Sequence, residues 1–288
     1  MALSTDQPLT IRAMAAHEVE LMGQWAAAEG WNPGLSDGAS FYATDPGGFF
    51  LGLIHGRPCA MISAVRYGSA FGFLGFYIVE PSMRGRGYGL ALWRTAMEYL
   101  GARNVGLDGV VAQQANYERS GFVLAHHNIR FEGRIVTGSG KPPSTCLIEL
   151  SALPFEELLS YDAQLFGTAR PRFLRNWISQ PGALAIGAIE NSGLIGYGVR
   201  RPCHEGFKIG PLFADRVQVA QELFGRLSAG EQLGAPLFLD VPAPNAAARA
   251  LAEGQAMRPV FQTARMYNRR DPRLPLERIF GITSFELG

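Results

Sequence analysis

Cysteine is scarce. Cys59, Cys146 and Cys203 stand far apart in 288 residues, with no C-x-x-C pair. That excludes a disulfide framework and a cysteine-built zinc site, and no metal is expected. No uninterrupted apolar run reaches the roughly 18 residues of a membrane-spanning helix. The first ten residues lack the basic start and apolar core of a secretory signal. An excess of either charge is missing too: 26 Lys and Arg face 25 Asp and Glu, a formal +1. A chain held to nucleic acid by phosphate contacts usually carries a clear basic excess. The expectation is a soluble cytoplasmic protein with neither a membrane nor nucleic acid as partner.

What is present is a large apolar share, 47%, with 11% aromatic and only 18% charged residues, enough to bury a sizeable core and against disorder. Glycine is abundant: 35 residues, about 12% where about 7% is ordinary. The length suggests two domains of about 150 residues each or one large one.

Periodicity supplies the elements. A strand at 9–12 and a helix at 17–30 are followed by the helix-breaking Trp31-Asn32-Pro33-Gly34. Strand patterns at 48–54, 58–66 and 70–79 come next, the first two joined by a turn at 55–58. Leu92, Trp93, Ala96, Met97 and Leu100 mark an amphipathic helix over 87–101. A strand at 105–111, a short helix at 113–120 and a strand at 122–135 follow. After a Gly/Ser/Pro-rich loop at 137–145, a strand at 146–150 is expected to complete the first sheet. Helices at 153–166 and 171–179 lead into strands at 183–189, 194–201 and 205–213. A helix at 215–229, a strand at 236–241, a helix at 245–253 and a strand at 259–268 finish the reading. The second order repeats the first at a spacing of about 130 residues, which suggests two copies of one α/β domain, 1–150 and 151–288. The alternative is that any two α/β halves look alike at this coarseness.

Glycines 85, 87 and 89 sit where the strand ending Tyr77-Ile78-Val79-Glu80-Pro81 turns into the helix, with Arg84 and Arg86 among them and Tyr88 at its start. The unpaired N–H groups and the positive dipole end of such a helix suit a pyrophosphate. The G-x-G-x-G spacing fails the dinucleotide fingerprint, G-x-G-x-x-G. The Walker A pattern also fails, since Lys141 has Ile135 where the first glycine should be and Pro142 after it.

Arg84-x-x-Gly87-x-Gly89, together with Asn116-Tyr117-Glu118-Arg119-Ser120-Gly121-Phe122, resembles the GCN5-related N-acetyltransferase superfamily, over about residues 9–150. The resemblance implies tandem domains of that fold, each with a mixed, mostly antiparallel twisted sheet flanked by helices. It implies acetyl-coenzyme A as co-substrate. Backbone groups of Tyr77, Ile78 and Val79 would pair with the pantetheine arm, residues 84–89 would hold the pyrophosphate, and Asn116 would contact the cofactor. Tyr117 would protonate the departing thiolate in a direct transfer to a primary amine, a small molecule rather than a protein. Phe73 stands where relatives carry a strand glutamate base, and Val110 where they carry an asparagine, leaving Gln113 or Asn116 to substitute. The base is unassigned; Glu80 is one candidate.

Trp25, Glu29, Trp31, Asn32, Asp37 and Phe41 lie where such folds line the acceptor pocket, with Trp31, Asn32 and Asp37 as the acceptor-contacting candidates; a packed helix–loop corner is the alternative. Of His126 and His127, one is expected buried and one exposed. The second half lacks the R-x-x-G-x-G pattern. Asp215 there reads as a helix N-cap that would repel a pyrophosphate. One cofactor per chain is therefore expected, in the N-terminal half, with a degenerate C-terminal copy that closes the acceptor site or supports assembly, a homodimer being one option. A non-catalytic coenzyme A sensor on the same fold is the rival reading.

Overall fold

The computed structural model describes residues 8–136, 143–230 and 232–288, so residues 137–142 of the expected loop lie outside it. The N-terminal half runs β1 (Thr10–Ala13), α1 (Val19–Ala28), α2 (Asp37–Thr44), β2 (Phe49–Ile54), β3 (Arg57–Tyr67), β4 (Phe71–Val79), α3 (Tyr88–Leu100), β5 (Asn104–Val110), α4 (Gln114–Arg119) and β6 (Val123–Arg134). The C-terminal half runs β7 (Cys146–Glu149), α5 (Phe155–Phe166), α6 (Pro171–Ile178), β8 (Leu184–Glu190), β9 (Gly193–Pro202), β10 (Phe207–Ala214), α7 (Val217–Ser228), β11 (Pro236–Pro242), α8 (Ala246–Gly254), β12 (Arg258–Tyr267) and β13 (Ile279–Gly281). The repeat is real: β2 to β6 and β8 to β12 follow the same strand and helix order.

Local chemistry explains the main turns. His55 and Gly56 both take positive φ, 50° and 75°, which lets a tight turn join β2 to β3. In α3, Leu92, Trp93, Ala96 and Leu100 bury one face against the sheet. Asn245 caps α8, its side chain accepting from the Ala248 N–H at 3.0 Å.

All strands join one mixed, mostly antiparallel sheet in the order β1-β2-β3-β4-β5-β12-β6-β11-β10-β9-β8-β7, with β13 on β10. Among the described strands, only the pairs β4–β5 and β10–β11 run parallel. The halves exchange strands: β12 inserts between β5 and β6, and β6 pairs with β11. Each exchanged strand brings a buried ion pair. Arg265 on β12 reaches Asp108 on β5 at 2.5 Å, and Arg130 on β6 reaches Asp240 on β11 at 2.7 Å.

Three expectations are corrected. The strand at 146–150 does not complete the first sheet; β7 pairs with β8 at the opposite edge, because β12 already fills the place beside β5. Asp215 does not cap α7. The helix begins one residue later, after Arg216, and the Asp215 carboxylate accepts from Tyr161 at 2.8 Å and Arg278 at 2.6 Å. His126 and His127 are both half-buried, since β6 is an interior strand between β12 and β11. The helix α2 of the first half and the strand β13 of the second carry no clear period and were not expected.

Candidate functional site

A cleft of about 760 Å³ opens where β4 and β5 part. The two strands pair from Phe71/Asn104 to Leu74/Leu107, yet β4 continues to Val79 and β5 to Val110. A bulge separates them. Opposite β3, the register jumps from Ser63↔Gly75 to Met61↔Ile78, and Phe76 takes φ +46°, a conformation few non-glycine residues adopt. The backbone of Tyr77, Ile78 and Val79 thereby lines the cleft without a β5 partner.

At one end lies the turn before α3. Gly85 and Gly87 have φ of +76° and +83°, and open space stands where a Cβ would be, so the backbone is exposed to an incoming group. Gly89 is glycine for another reason: a Cβ there would stand 2.6 Å from the Tyr77 hydroxyl oxygen. Tyr88 is buried on the cleft wall. Arg84 lines the cleft, its Nε donating to the Val79 carbonyl at 2.9 Å and its Nη2 lying 2.5 Å from Glu29. Arg119 joins it on the wall, while exposed Arg86 does not line the cleft. The open turn, the helix N-terminus and two arginines fit the diphosphate of an acyl-coenzyme A substrate.

Tyr117 stands across from β4. Its ring packs on the backbone of Gly109 and stacks with Trp93 at 5.7 Å between centroids. Burial, with Tyr77 nearby, pushes its hydroxyl up to about 12, so it keeps its proton at neutral pH. Gln113, Asn116 and Val110 all line the same wall, and Asn116 is hydrogen-bonded to Gln113.

The far end draws on both halves. Trp31 lines it, as do Asp108 on β5, Phe261 and Thr263 on the exchanged β12, and Phe285 and Glu286 of the C-terminal segment. Glu29 lines the cleft beside Arg84, and the remaining acceptor candidates are elsewhere. Asn32 is held by Glu205, donating to its carbonyl at 3.0 Å and accepting from its N–H at 2.9 Å. Asp37 is buried, paired with Arg201 at 2.7 Å and accepting from the Gly34 N–H at 2.9 Å. Neither lines the cleft. Phe41 is core, stacked on Trp177, and Trp25 packs against the same cluster. Glu80 accepts from Ser82 at 2.9 Å and also lies outside the cleft wall. Sequence reasoning missed Gly75, Gly109, Phe261, Thr263, Phe285 and Glu286; a glycine opposite a motif tyrosine was the one signal in reach.

The second half has a corresponding parting of strands, and the chain itself fills it. The β10–β11 pairing spans only Phe207/Leu237 to Ile209/Leu239. Beyond it β13 pairs with Leu212 and Phe213 of β10, and the Ile282 N–H donates to the Asp240 carbonyl at 2.8 Å. A peptide strand thus occupies in this half the place that stays open in the first.

Among the described residues no group of His, Cys, Asp and Glu could hold a metal ion, and no helix is long and apolar enough to cross a membrane.

Comparison with known proteins agrees with this geometry. The Acetyltransferase (GNAT) family profile matches residues 15–122, and an Acetyltransferase (GNAT) domain profile matches residues 158–281. A holothin acyltransferase of Pseudoalteromonas sp. is 31% identical over 283 residues, covering 98% of this chain and 95% of that one. An uncharacterised N-acetyltransferase of Bacillus subtilis is 29% identical over 126 residues, 44% of either chain. In fold, the crystal structure of a proposed acetyltransferase from Pyrococcus horikoshii superposes with a TM-score of 0.81 at 22% identity, covering 100% of this chain and 99% of that one. A tandem GNAT protein from the clavulanic acid biosynthesis pathway does so at 0.63 and 15%, covering 90% and 98%. The chain belongs to the GCN5-related N-acetyltransferase (GNAT) family, as an acyltransferase built from two such domains.

Proposed function

We propose that this chain transfers an acetyl group from acetyl-coenzyme A directly to a primary amine of a small molecule, using the N-terminal cleft. The observation that carries this reading is the convergence on one cleft of the unpaired β4 backbone, the open Gly85–Gly87 turn and the protonated Tyr117. The backbone of Tyr77, Ile78 and Val79 would orient the donor, and an N–H aimed at the thioester carbonyl would stabilise the developing oxyanion. The Tyr117 hydroxyl would give its proton to the leaving sulfur. The acceptor end supports a small substrate, because Trp31, Phe261 and Phe285 wall it and the C-terminal segment closes it. The name of the relative from Pseudoalteromonas, which matches nearly the whole chain, points to holothin as an acceptor to try first.

Isothermal calorimetry with acetyl-coenzyme A tests the donor. Binding of one molecule per chain is expected, strongly weakened by Gly87→Glu, which places a carboxylate at the phosphate turn and a side chain at φ +83°. Absence of binding by the parent protein refutes the donor. Acetyl transfer to holothin and to a panel of other primary amines tests the acceptor class, and a panel without turnover refutes it.

A further inference from the structure

The N-terminal half offers no carboxylate on β4 to take a proton from the acceptor; Phe73 is buried within the stretch where β4 still pairs with β5, and it does not line the cleft. The C-terminal segment brings one from the other end of the chain. After β13 it passes Ile282, Thr283 and Ser284, and the backbone of Glu286 settles on Gly75 at the bulge. A Cβ on Gly75 would stand 2.0 Å from the Glu286 carbonyl oxygen, so only glycine admits the segment there. The segment is fixed on both sides. The Leu287 carbonyl accepts from the Tyr67 hydroxyl at 3.0 Å, and the Leu287 N–H donates to Ser284 Oγ at 3.0 Å.

Glu286 is only 3% exposed, and it lines the cleft beside Thr263 and Phe285. Among the described residues its carboxylate accepts no hydrogen bond and has no cation within ion-pair distance. The nearby charges have other partners, although the two terminal nitrogens of Arg201 have none. Arg130 on β6 is paired with Asp240, Arg201 on β9 with Asp37 of α2, and Lys208 on β10 donates to the Asn32 carbonyl at 2.9 Å. Asp108, on the same wall, is held by Arg265 and by Asn128. Of the buried carboxylates around this end of the cleft, Glu286 is the one free to accept a proton.

We propose that Glu286 is the catalytic base: its carboxylate receives the proton that the acceptor nitrogen loses as that nitrogen bonds to the thioester carbonyl carbon. The C–S bond breaks, sulfur takes the Tyr117 proton, and the proton on Glu286 returns through water to the Tyr117 oxygen. An amine that arrives uncharged therefore leaves as the amide with no net proton consumed. Burial raises Glu286 above the ordinary carboxylate range, with Asp37 adding to the rise and Lys208, Arg130 and Arg201 opposing it. A base so raised holds its proton more firmly once it has it.

The proposal rests on the acyl-transfer reading above, and the experiment separates the two. Parent, E286Q and E286D are compared for acetyl-coenzyme A binding by calorimetry and for acetyl transfer to holothin and the amine panel from acid to alkaline pH. Parent kcat/KM is expected to climb along an acid limb as Glu286 ionises. E286Q should lose about 10²–10⁴-fold in kcat, lack that limb, and bind acetyl-coenzyme A as the parent does. E286D should retain a shifted limb, and it carries the test if E286Q fails to fold. E286Q with parental turnover, or with reduced turnover and the acid limb intact, overturns the role of Glu286 while leaving acyl transfer standing. A parent that binds no acetyl-coenzyme A overturns the reading beneath it, and the proposal with it.

Discussion

The Tyr117 ring lies flat on β5 because residue 109 has no side chain: a Cβ built there would stand 2.2 Å from Cε2 of the ring. Gly109→Ala should therefore displace the hydroxyl from the cleft as well as crowd the sheet. Stopped-flow and steady-state assays are expected to show reduced kcat with acetyl-coenzyme A affinity retained, and stability lower by about 1–3 kcal/mol from overpacking. Equal kcat would mean that the ring can sit elsewhere. Tyr117→Phe removes the proton alone. It should lower kcat by about 10²–10⁴-fold and leave both stability and donor affinity nearly unchanged; unaltered turnover takes the tyrosine out of the reaction. The pH dependence follows from its raised value of about 12. The acid form persists through the ordinary tyrosine range, so kcat should show no basic limb there. The same shift means that folding favours the neutral phenol, a contribution complete below the ordinary tyrosine value and lost as pH rises through about 12.

At the scale of elements, the exchanged strand is the part that ties chemistry to folding. β12 carries Phe261 and Thr263 to the cleft and Arg265 to Asp108, whose side chain is fully buried. Arg265→Met leaves that carboxylate buried without its cation, at a cost of about 3–5 kcal/mol. Urea unfolding should register it as a lower midpoint with an unchanged slope, and the Asp108→Leu/Arg265→Met pair should recover most of the loss. If single and double variants are equally weak, the pair is not what holds the strand. Local pattern made most elements readable: the amphipathic spacing of α3, the apolar runs of β2 to β4, the turn at His55-Gly56. It did not reveal α2, whose Asp-Gly-Ala-Ser start is poor helix sequence and whose Phe41 is fixed by stacking on Trp177 from the other half. Nor did it reveal which strand pairs with which. The run 260–267 reads as a strand, but nothing local names β5 as its neighbour. The donor end of the site was legible because glycine, arginine and tyrosine carry it within two short motifs. Glu286 was not, since one glutamate in a short tail gains meaning only when the chain returns to Gly75.

Over the whole molecule, the strand exchange turns a repeat in sequence into a single object in space. One apolar cluster includes Phe41, Phe49, Phe73 and Phe76 from the first half with Tyr161, Trp177, Tyr197 and Phe285 from the second. Polar ties cross with it: Arg130 donates to the Trp31 carbonyl at 2.8 Å, and Asp37 holds Arg201. A half cut from its partner would expose one side of β5 or β11 as an unpaired edge and uncover that cluster. The halves should therefore unfold together, although each matches a domain profile by itself. Differential scanning calorimetry is expected to give one transition with equal calorimetric and van't Hoff enthalpies. Residues 1–150 and 151–288 made separately should lack fixed near-ultraviolet circular dichroism and regain it on mixing. Two resolved transitions, or a fragment that folds alone, would show that the exchanged strands decorate two independent domains. One cooperative transition makes the acceptor end, built from both halves and the C-terminal segment, as stable as the fold itself.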